Sequence, residues 1–280
     1  MSVMTKGKVT DVDELKNIAK SVRVRILHML TTAGSGHTGG SLSAADVAVA
    51  IYFSKMNFNP QDPAWKDRDR FILSKGHAAP LQYSIMAEAG YFPEDTTQTL
   101  RTTESPLQGH PCCKRLPGIE VSTGSLGQGL SVANGIALGL RLDNNPARVY
   151  CIMGDGEIQE GQVWEAAMTA AHYKIDNLCA VVDCNGLQID GPVEKVMNIE
   201  PVFDKWKAFG WHVIDVDGHN MEQIVGALDE ATGIKGKPSV IIANTTKGKG
   251  VSFFENKVEY HGVAPSLEEL EKAVKEINNE

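Results

Sequence analysis

Four short, β-rich apolar runs, Arg148–Met153, Leu178–Asp183, Trp211–Val216 and Ser239–Thr245, punctuate the second half of the chain. Helical stretches lie between them at Glu160–Tyr173, more weakly around Val202–Phe209, and at Asn220–Thr232. A tight turn can join antiparallel strands, but parallel strands need a longer crossover, usually a helix. The alternation therefore predicts an α/β fold, a doubly wound and mostly parallel sheet with helices on both faces. Ligands of such sheets bind beyond the carboxyl ends of the strands. The loops after Met153, Asp183 and Thr245 are the ones to inspect.

The first half is less regular. From Asp11 to Ala33 the residues Leu15, Ile18, Ala19, Val22, Ile26, Met29 and Leu30 recur at helical spacing, and the stretch ends at Gly34-Ser-Gly-His-Thr-Gly-Gly40. A second helix is expected from near Ser43, because Ser43-Ala-Ala-Asp46 has the form of a capping box. Phe71-Ile-Leu73 reads as a strand, followed by Ser74-Lys-Gly-His77 and a helix up to Gly90. Glu104–Gly129 is rich in Gly, Pro and Ser and too long for an idle connection, which predicts a functional loop. No repeat or linker divides the chain, so residues 1–280 are expected to form one domain.

Composition excludes several classes. Hydrophobic residues make up 42% and charged residues 22%, as in an ordinary globular protein, so disorder is not expected. A formal net charge of −8 without a basic patch argues against nucleic-acid and membrane-surface partners. Phosphate would have to be held by local devices: a metal ion, backbone N–H groups or a few cations. Five cysteines with no C-x-x-C predict reduced thiols and a cytoplasmic setting. Met1–Lys16 is too polar for a signal peptide, and no run approaches the roughly 18 apolar residues of a membrane helix.

The strongest motif is Gly154-Asp155-Gly156 after one strand, paired with Asn185-Gly-Leu-Gln-Ile-Asp-Gly191 after the next. It sets a carboxylate (Asp155) and a side-chain amide oxygen (Asn185) at neighbouring strand ends, with a backbone carbonyl at Leu187. Mg²⁺ takes hard oxygen ligands of this kind, shared with phosphate oxygens and water. Gly154 and Gly156 let the backbone approach a diphosphate closely, and a helix follows from Glu160.

The pair resembles the thiamine diphosphate motif. Gly154-Asp-Gly-Glu-Ile-Gln-Glu-Gly161 together with Asn185–Gly191 looks like transketolase, and the resemblance extends from the first helix to about Pro265. Ser35-Gly-His37, Leu73-Ser-Lys-Gly-His77, Gln108-Gly-His110-Pro111 and Tyr260-His261-Gly-Val-Ala-Pro265 look like the family's four histidine loops. Thr123-Gly-Ser-Leu-Gly-Gln-Gly129 resembles the loop that lines the cofactor channel. The resemblance implies a ketol transfer between sugar phosphates, with His37, His77, His110 and His261 touching the cofactor diphosphate or sugar oxygens. Imidazoles suit that work near neutral pH. It further implies cofactor contacts from His77, Gly124, Leu126, Gly127, Gly154, Asp155, Gly156, Glu157 and Asn185, and metal ligation by Asp155, Asn185 and the Leu187 carbonyl. Glu160 would act as a proton-relay partner at a subunit interface. Undivided relatives continue with a pyrimidine-binding and a C-terminal domain. The implied assembly is thus a heterotetramer, two copies of this chain and two of a partner carrying the pyrimidine-binding domain.

Thr38 stands where the family usually has Pro, which predicts a looser loop, and Cys184 stands where an amide or acid is common. Thr246–Val263 is as similar to 1-deoxyxylulose-5-phosphate synthase as to transketolase. A chain of that type, the α-subunit of a 2-oxo acid dehydrogenase, and a non-catalytic cofactor-binding module remain alternatives. Gly34-Ser-Gly36-His-Thr-Gly39 spells a dinucleotide fingerprint but follows a helix rather than a strand, so that reading fails. His28, His172, His212 and His219 read as structural or solvent-facing. Lys247-Gly-Lys-Gly250 suits either a phosphate contact or a charged turn.

Overall fold

The structure, a computed structural model, describes residues 8–279; the first seven residues of the polar stretch Met1–Lys16 lie outside it. Helix α1 (Val12–Ala33) is capped by Asp11, which accepts the Asp13 N–H at 2.9 Å, and Gly34 ends it in the left-handed region at φ 61°. Then follow α2 (Thr38–Ser43), α3 (Ala45–Val49), a π-type turn at Ala50–Lys55, β1 (Arg70–Leu73) and α4 (Ala79–Ala89). The second half runs α5 (Gly129–Leu142), β2 (Val149–Gly154), α6 (Gly161–His172), β3 (Leu178–Cys184) and a small hairpin of β4 (Leu187–Gln188) and β5 (Gly191–Pro192). It ends with α7 (Val193–Val196), α8 (Val202–Ala208), β6 (His212–Asp217), α9 (Met221–Gly233), β7 (Ser239–Asn244) and α10 (Leu267–Asn279).

Among the described residues, β1, β2, β3, β7 and β6 pair in that order, all parallel, in one five-stranded sheet. From β3 the chain skips one place to the edge strand β6 and returns through α9 to β7. The register sets Gly154 opposite Asp183, and Cys184 opposite Asn244. The residues after β2, β3 and β7 therefore emerge side by side.

Side chains alternate between the two faces of the sheet. Tyr150 and Ile152 of β2 join a core with Leu27 of α1, Ile85 of α4, Leu228 of α9 and Ile277 of α10. Val149, Cys151 and Met153 face the other way, onto Ala137 of α5, Ala167 of α6 and Trp206 of α8. Both faces are covered, so β2, β3 and β7 carry apolar runs, whereas the edge strand β6 alternates at its end, with Val216 buried between exposed Asp215 and Asp217. That is the doubly wound sheet which the sequence predicts, with each strand within a residue of its expected bounds.

Three features differ from the sequence expectation. Ser43 caps no helix: it is the last residue of α2, and its hydroxyl lies against the Gly40 carbonyl and the Asp183 carboxylate. Asp46 is held by Arg23 and His219 instead. A reciprocal capping box does exist, at α10. There the Ser266 N–H donates to the Glu269 carboxylate at 2.7 Å and the Glu269 N–H to the Ser266 hydroxyl at 3.2 Å. Helix α5 also escapes the periodicity reading, because Gly129, Gly135 and Gly139 dilute its apolar stripe of Leu130, Ala133, Ala137 and Leu140.

Ile152 sits at the centre of the sheet with no exposed surface, whereas Leu142 is 83% exposed. Ile152→Ala is expected to lower the unfolding free energy by roughly 2–5 kcal/mol and Leu142→Ala by less than about 0.5 kcal/mol. Urea denaturation of both variants checks the assignment of the core.

Candidate active site

Beyond the strand ends, one buried ion pair ties the loops together. The Lys75 ammonium, in the turn after β1, donates to the Asp183 carboxylate of β3 at 2.5 Å and to the Gly40 carbonyl of α2 at 2.7 Å. Both partners are about 1% exposed. The same carboxylate accepts from the Ser43 hydroxyl at 2.6 Å, the Asn185 amide at 3.1 Å and the Thr245 hydroxyl. Burial alone would raise the Asp183 carboxyl, but Lys75 holds it below the usual carboxylate range.

A second buried carboxylate performs the same task on the other side. Glu157 accepts the Ser74 hydroxyl, the Gly127 N–H at 3.0 Å and the Gly154 N–H at 3.0 Å. The Ser74 hydroxyl in turn accepts the Gly129 N–H at 3.1 Å. The loop Glu104–Gly129 is thereby fastened to the ends of β1 and β2. At Gly127 φ is 81°, and a Cβ there would lie 2.7 Å from the Glu160 Cβ, so only glycine fits.

These ties shape an open cleft of about 470 Å³. It is lined by His37, His77, His110, His261, Gly124, Leu126, Gly154, Asp155, Gly156, Glu157, Glu160, Asn185 and Leu187. Of the residues singled out from the sequence, Gly127 alone is not in the wall; it supports Glu157 from behind. Glu160 is exposed, and Glu157 turns its carboxylate to the loops. Thr38, expected to loosen its loop, is buried and donates to the Val263 carbonyl at 2.6 Å. That bond fastens the His37 loop to the His261 loop.

Sequence reasoning missed Lys75 and Asp183 and left Lys247 open. Lys247 is 2% exposed, and its ammonium enters the cleft, donating to the Leu187 carbonyl at 3.0 Å and to His261 Nδ1 at 2.6 Å. Lys249 instead pairs with Glu255 at 3.7 Å. The signal for Lys75 and Lys247 was their place inside glycine-flanked loops after strands. A lysine in such a loop is ordinarily solvated, so the signal is weak.

The imidazoles of His37, His77 and His261 cluster with ring centroids 5.0 to 5.6 Å apart. Burial pushes all three down, to about 4 for His37, about 2 for His77 and about 4 for His261. Neighbouring cations reinforce this: Arg101 at His37, Lys75 at His77 and Lys247 at His261. His110 is lowered by burial and by Arg101. At neutral pH the cleft therefore presents neutral imidazoles beside lysine ammonium groups. Lys247 itself is pushed down to about 8, by burial first and by Lys75 second.

Asp155 has the opposite problem. It accepts the Gly156 N–H at 2.8 Å and the Gly186 N–H at 2.6 Å, yet burial, followed by the nearby Asp183 charge, raises its carboxyl to about 6. Lys75 is already committed to Asp183. A divalent cation would relieve this crowded carboxylate, and the Asn185 and Leu187 oxygens of the same cleft, which here accept the Leu187 N–H and the Lys247 ammonium, are of the type that Mg²⁺ accepts. The donor set is one carboxylate, one amide and one carbonyl. No group of three or more His, Cys, Asp or Glu side chains among the described residues is placed to hold a metal.

A parallel α/β sheet with loop imidazoles, buried cations and a carboxylate–amide pair converging beyond its strand ends defines a domain built to hold a diphosphate-bearing cofactor. Residues 14–278 match the family described as "Transketolase, thiamine diphosphate binding domain". The chain belongs to the transketolase family, within its thiamine diphosphate-binding part. It is 45% identical to the 6-deoxy-6-sulfo-D-fructose transketolase subunit SqwG of Clostridium sp. (strain MSTE9), over 95% of this chain and 97% of that one. It is 42% identical to an apulose-4-phosphate transketolase subunit of Actinobacillus succinogenes, over 96% of this chain and 97% of the relative. Among solved structures, transketolase from Campylobacter jejuni superposes with a TM-score of 0.90 at 33% identity, over 96% of this chain. This chain spans 43% of that longer one.

Lys75→Met would leave the Asp183 charge buried without its cation, a change expected to cost about 3–5 kcal/mol of stability at pH 7. The depressed carboxyl of Asp183 contributes stability that is complete above the ordinary carboxylate range and is lost as pH falls through the folded-state pKa. The gap between wild type and Lys75→Met should therefore narrow on acidification from pH 7 to about pH 4, since protonation neutralises the orphaned carboxylate. Denaturant titrations at several pH values measure it; a constant gap would count against the pair.

Proposed function

We propose that this chain is the diphosphate-binding subunit of a split transketolase. With a partner chain, it binds Mg²⁺ and thiamine diphosphate and moves a two-carbon ketol unit from a ketose phosphate to an aldose acceptor. The carrying observation is the convergence of His37, His77, His110 and His261 on the cleft that also holds Asp155, Asn185 and Leu187. Relatives of matching length that are named as transketolase subunits support the split arrangement.

Bound thiamine diphosphate supplies the electron sink that lets a carbon–carbon bond beside a carbonyl break. Asp155, Asn185 and the Leu187 carbonyl hold Mg²⁺. Lys247 and the backbone around Gly154 and Gly156 offset the diphosphate charge. Gly124 and Leu126 line the channel. The neutral imidazoles of His110 and His261 exchange hydrogen bonds and protons with sugar hydroxyls, and His37 and His77 serve the diphosphate end. Glu160, exposed at the rim, faces the partner.

The partner carries the pyrimidine-binding domain, and the assembly is a heterotetramer with two copies of each chain. Residues 1–280 act as one diphosphate-binding domain in the cytoplasm. Among the described residues, no helix is long and apolar enough to cross a membrane.

The assay is ketol transfer by this chain with Mg²⁺ and thiamine diphosphate, alone and with a co-expressed chain carrying the pyrimidine-binding domain. Turnover is expected only from the pair, with a ketose phosphate as donor rather than pyruvate. Full activity from this chain alone would refute the split reading.

Within the complex, the two kinds of site residue should separate. Asp155→Ala is expected to weaken cofactor retention by more than the roughly 10–100-fold typical of losing a group that only supports a metal ligand. His110→Ala and His261→Ala should instead lower kcat and kcat/KM together by about 10²–10⁴-fold, with little change in cofactor affinity. Calorimetry and steady-state kinetics on the same preparations distinguish them, and normal kcat in both histidine variants would remove these residues from the mechanism.

A further inference from the structure

Behind the cleft, outside its wall, a chain of polar groups reaches from α1 to the loop after β7. Arg23 of α1 clasps the Asp46 carboxylate of α3 through two nitrogens, at 3.0 and 2.6 Å. The Asp46 oxygen that Arg23 holds at 2.6 Å also meets His219 Nδ1, at 2.8 Å. The far nitrogen of that ring, Nε2, receives the Thr246 backbone N–H at 2.7 Å. Thr246 immediately precedes Lys247, whose ammonium stands in the cleft against Leu187 and His261.

The chemistry of these groups fixes the direction of every bond. A backbone N–H only donates, so His219 Nε2 must carry a lone pair, and the ring's proton must sit on Nδ1. That proton points at Asp46, whose two oxygens also accept from the Arg23 guanidinium. Burial alone would raise the Asp46 carboxyl, but Arg23 and then His219 hold it down at about 2. One tautomer of His219 is thus selected by its partners, as a hydrogen-bonded carboxylate selects the tautomer of a metal-bound histidine.

The His219 loop also packs tightly on the segment it holds. The Gly218 N–H donates to the Asn244 carbonyl at 2.8 Å, and a Cβ at Gly218 would lie 2.4 Å from the Thr245 Cγ2. On the other side of Lys247, the Gly248 N–H donates to the Gly39 carbonyl at 3.1 Å. The backbone of Lys247 is therefore held from both flanks and through its own carbonyl, which accepts the Asn256 N–H at 2.9 Å, and on the Thr246 flank the acceptor is a side chain.

We propose that His219, oriented by Asp46 and Arg23, is a positioning residue for the cleft: by accepting the Thr246 N–H it fixes the ammonium of Lys247 where the cofactor's diphosphate binds. The second half of this statement rests on the proposed function; the first half, the fixing of Lys247, does not. Sequence reading places His219 among structural or solvent-facing histidines, and the structure gives it a specific target.

Two substitutions separate the ring nitrogens. His219→Gln puts an amide oxygen near the position of Nε2 and can still accept from Thr246, whereas His219→Asn reaches only the position of Nδ1 and can still donate to Asp46. In the full chain without cofactor, hydrogen exchange of the segment 245–250 should stay slow in wild type and His219→Gln and become faster in His219→Asn. In the complex, His219→Asn should raise the Kd for thiamine diphosphate by roughly tenfold, a loss of the size seen when a supporting hydrogen bond behind a ligand is removed, and His219→Gln by less than about threefold. His219→Asn in a Lys247→Met background should add little further, because the two residues act as one unit. Equal exchange in the Asn and Gln variants, or additive losses with Lys247→Met, would overturn the proposal. If exchange behaves as expected but the wild-type complex binds no thiamine diphosphate, the proposed function fails and the fixing of Lys247 by His219 stands.

Discussion

The pairing of Lys75 with Asp183 is the interaction on which the cleft depends. Two opposite charges with about 1% exposure have lost nearly all their water, and their attraction repays that only when the remaining donors and acceptors are satisfied. Here they are: Asp183 also receives Ser43, Asn185 and Thr245, and Lys75 also reaches the Gly40 carbonyl. The need to satisfy one buried pair thus joins the ends of β1, β3 and β7 to the short helix α2. Hydrogen bonds that polarise one another in a low-dielectric site act together, so the loops are fixed as a set.

The same desolvation sets the chemistry of the cleft. The cavity wall sets Lys75 and Lys247 beside a histidine cluster, with Asp155, Glu157 and Glu160 in the same lining. Burial and neighbouring cations keep the imidazoles neutral, so that each ring has one donor and one acceptor nitrogen, the acceptor of His261 being taken by Lys247. Asp155, by contrast, is raised to about 6 by burial and by the Asp183 charge.

Glu157 and His219 show how much of the site is support. Neither needs to touch a ligand for its effect. Glu157 holds Gly127 and Gly154 through their N–H groups, and His219 holds Thr246 in the same way. Backbone donors in loops and at strand ends have no ladder partner, and a buried side-chain acceptor is one of the few ways to satisfy them.

By itself the sequence determined the sheet, its strands and the motif residues that line the cleft. A strand buried on both faces must be an apolar run, and Gly-Asp-Gly with a downstream Asn at strand ends leaves few other readings. Local pattern was insufficient where two sites share one pattern. Ser43-Ala-Ala-Asp46 and Ser266-Leu-Glu-Glu269 both have the form of a capping box, but Asp183, Arg23 and His219 claim the first pair and leave the second free to cap. Only the tertiary structure decided that Lys75, Asp183 and Lys247 are interior. A charged residue is solvated by default, and what reverses this is a partner brought from far along the chain: 108 positions separate Lys75 from Asp183, and 60 separate Lys247 from Leu187.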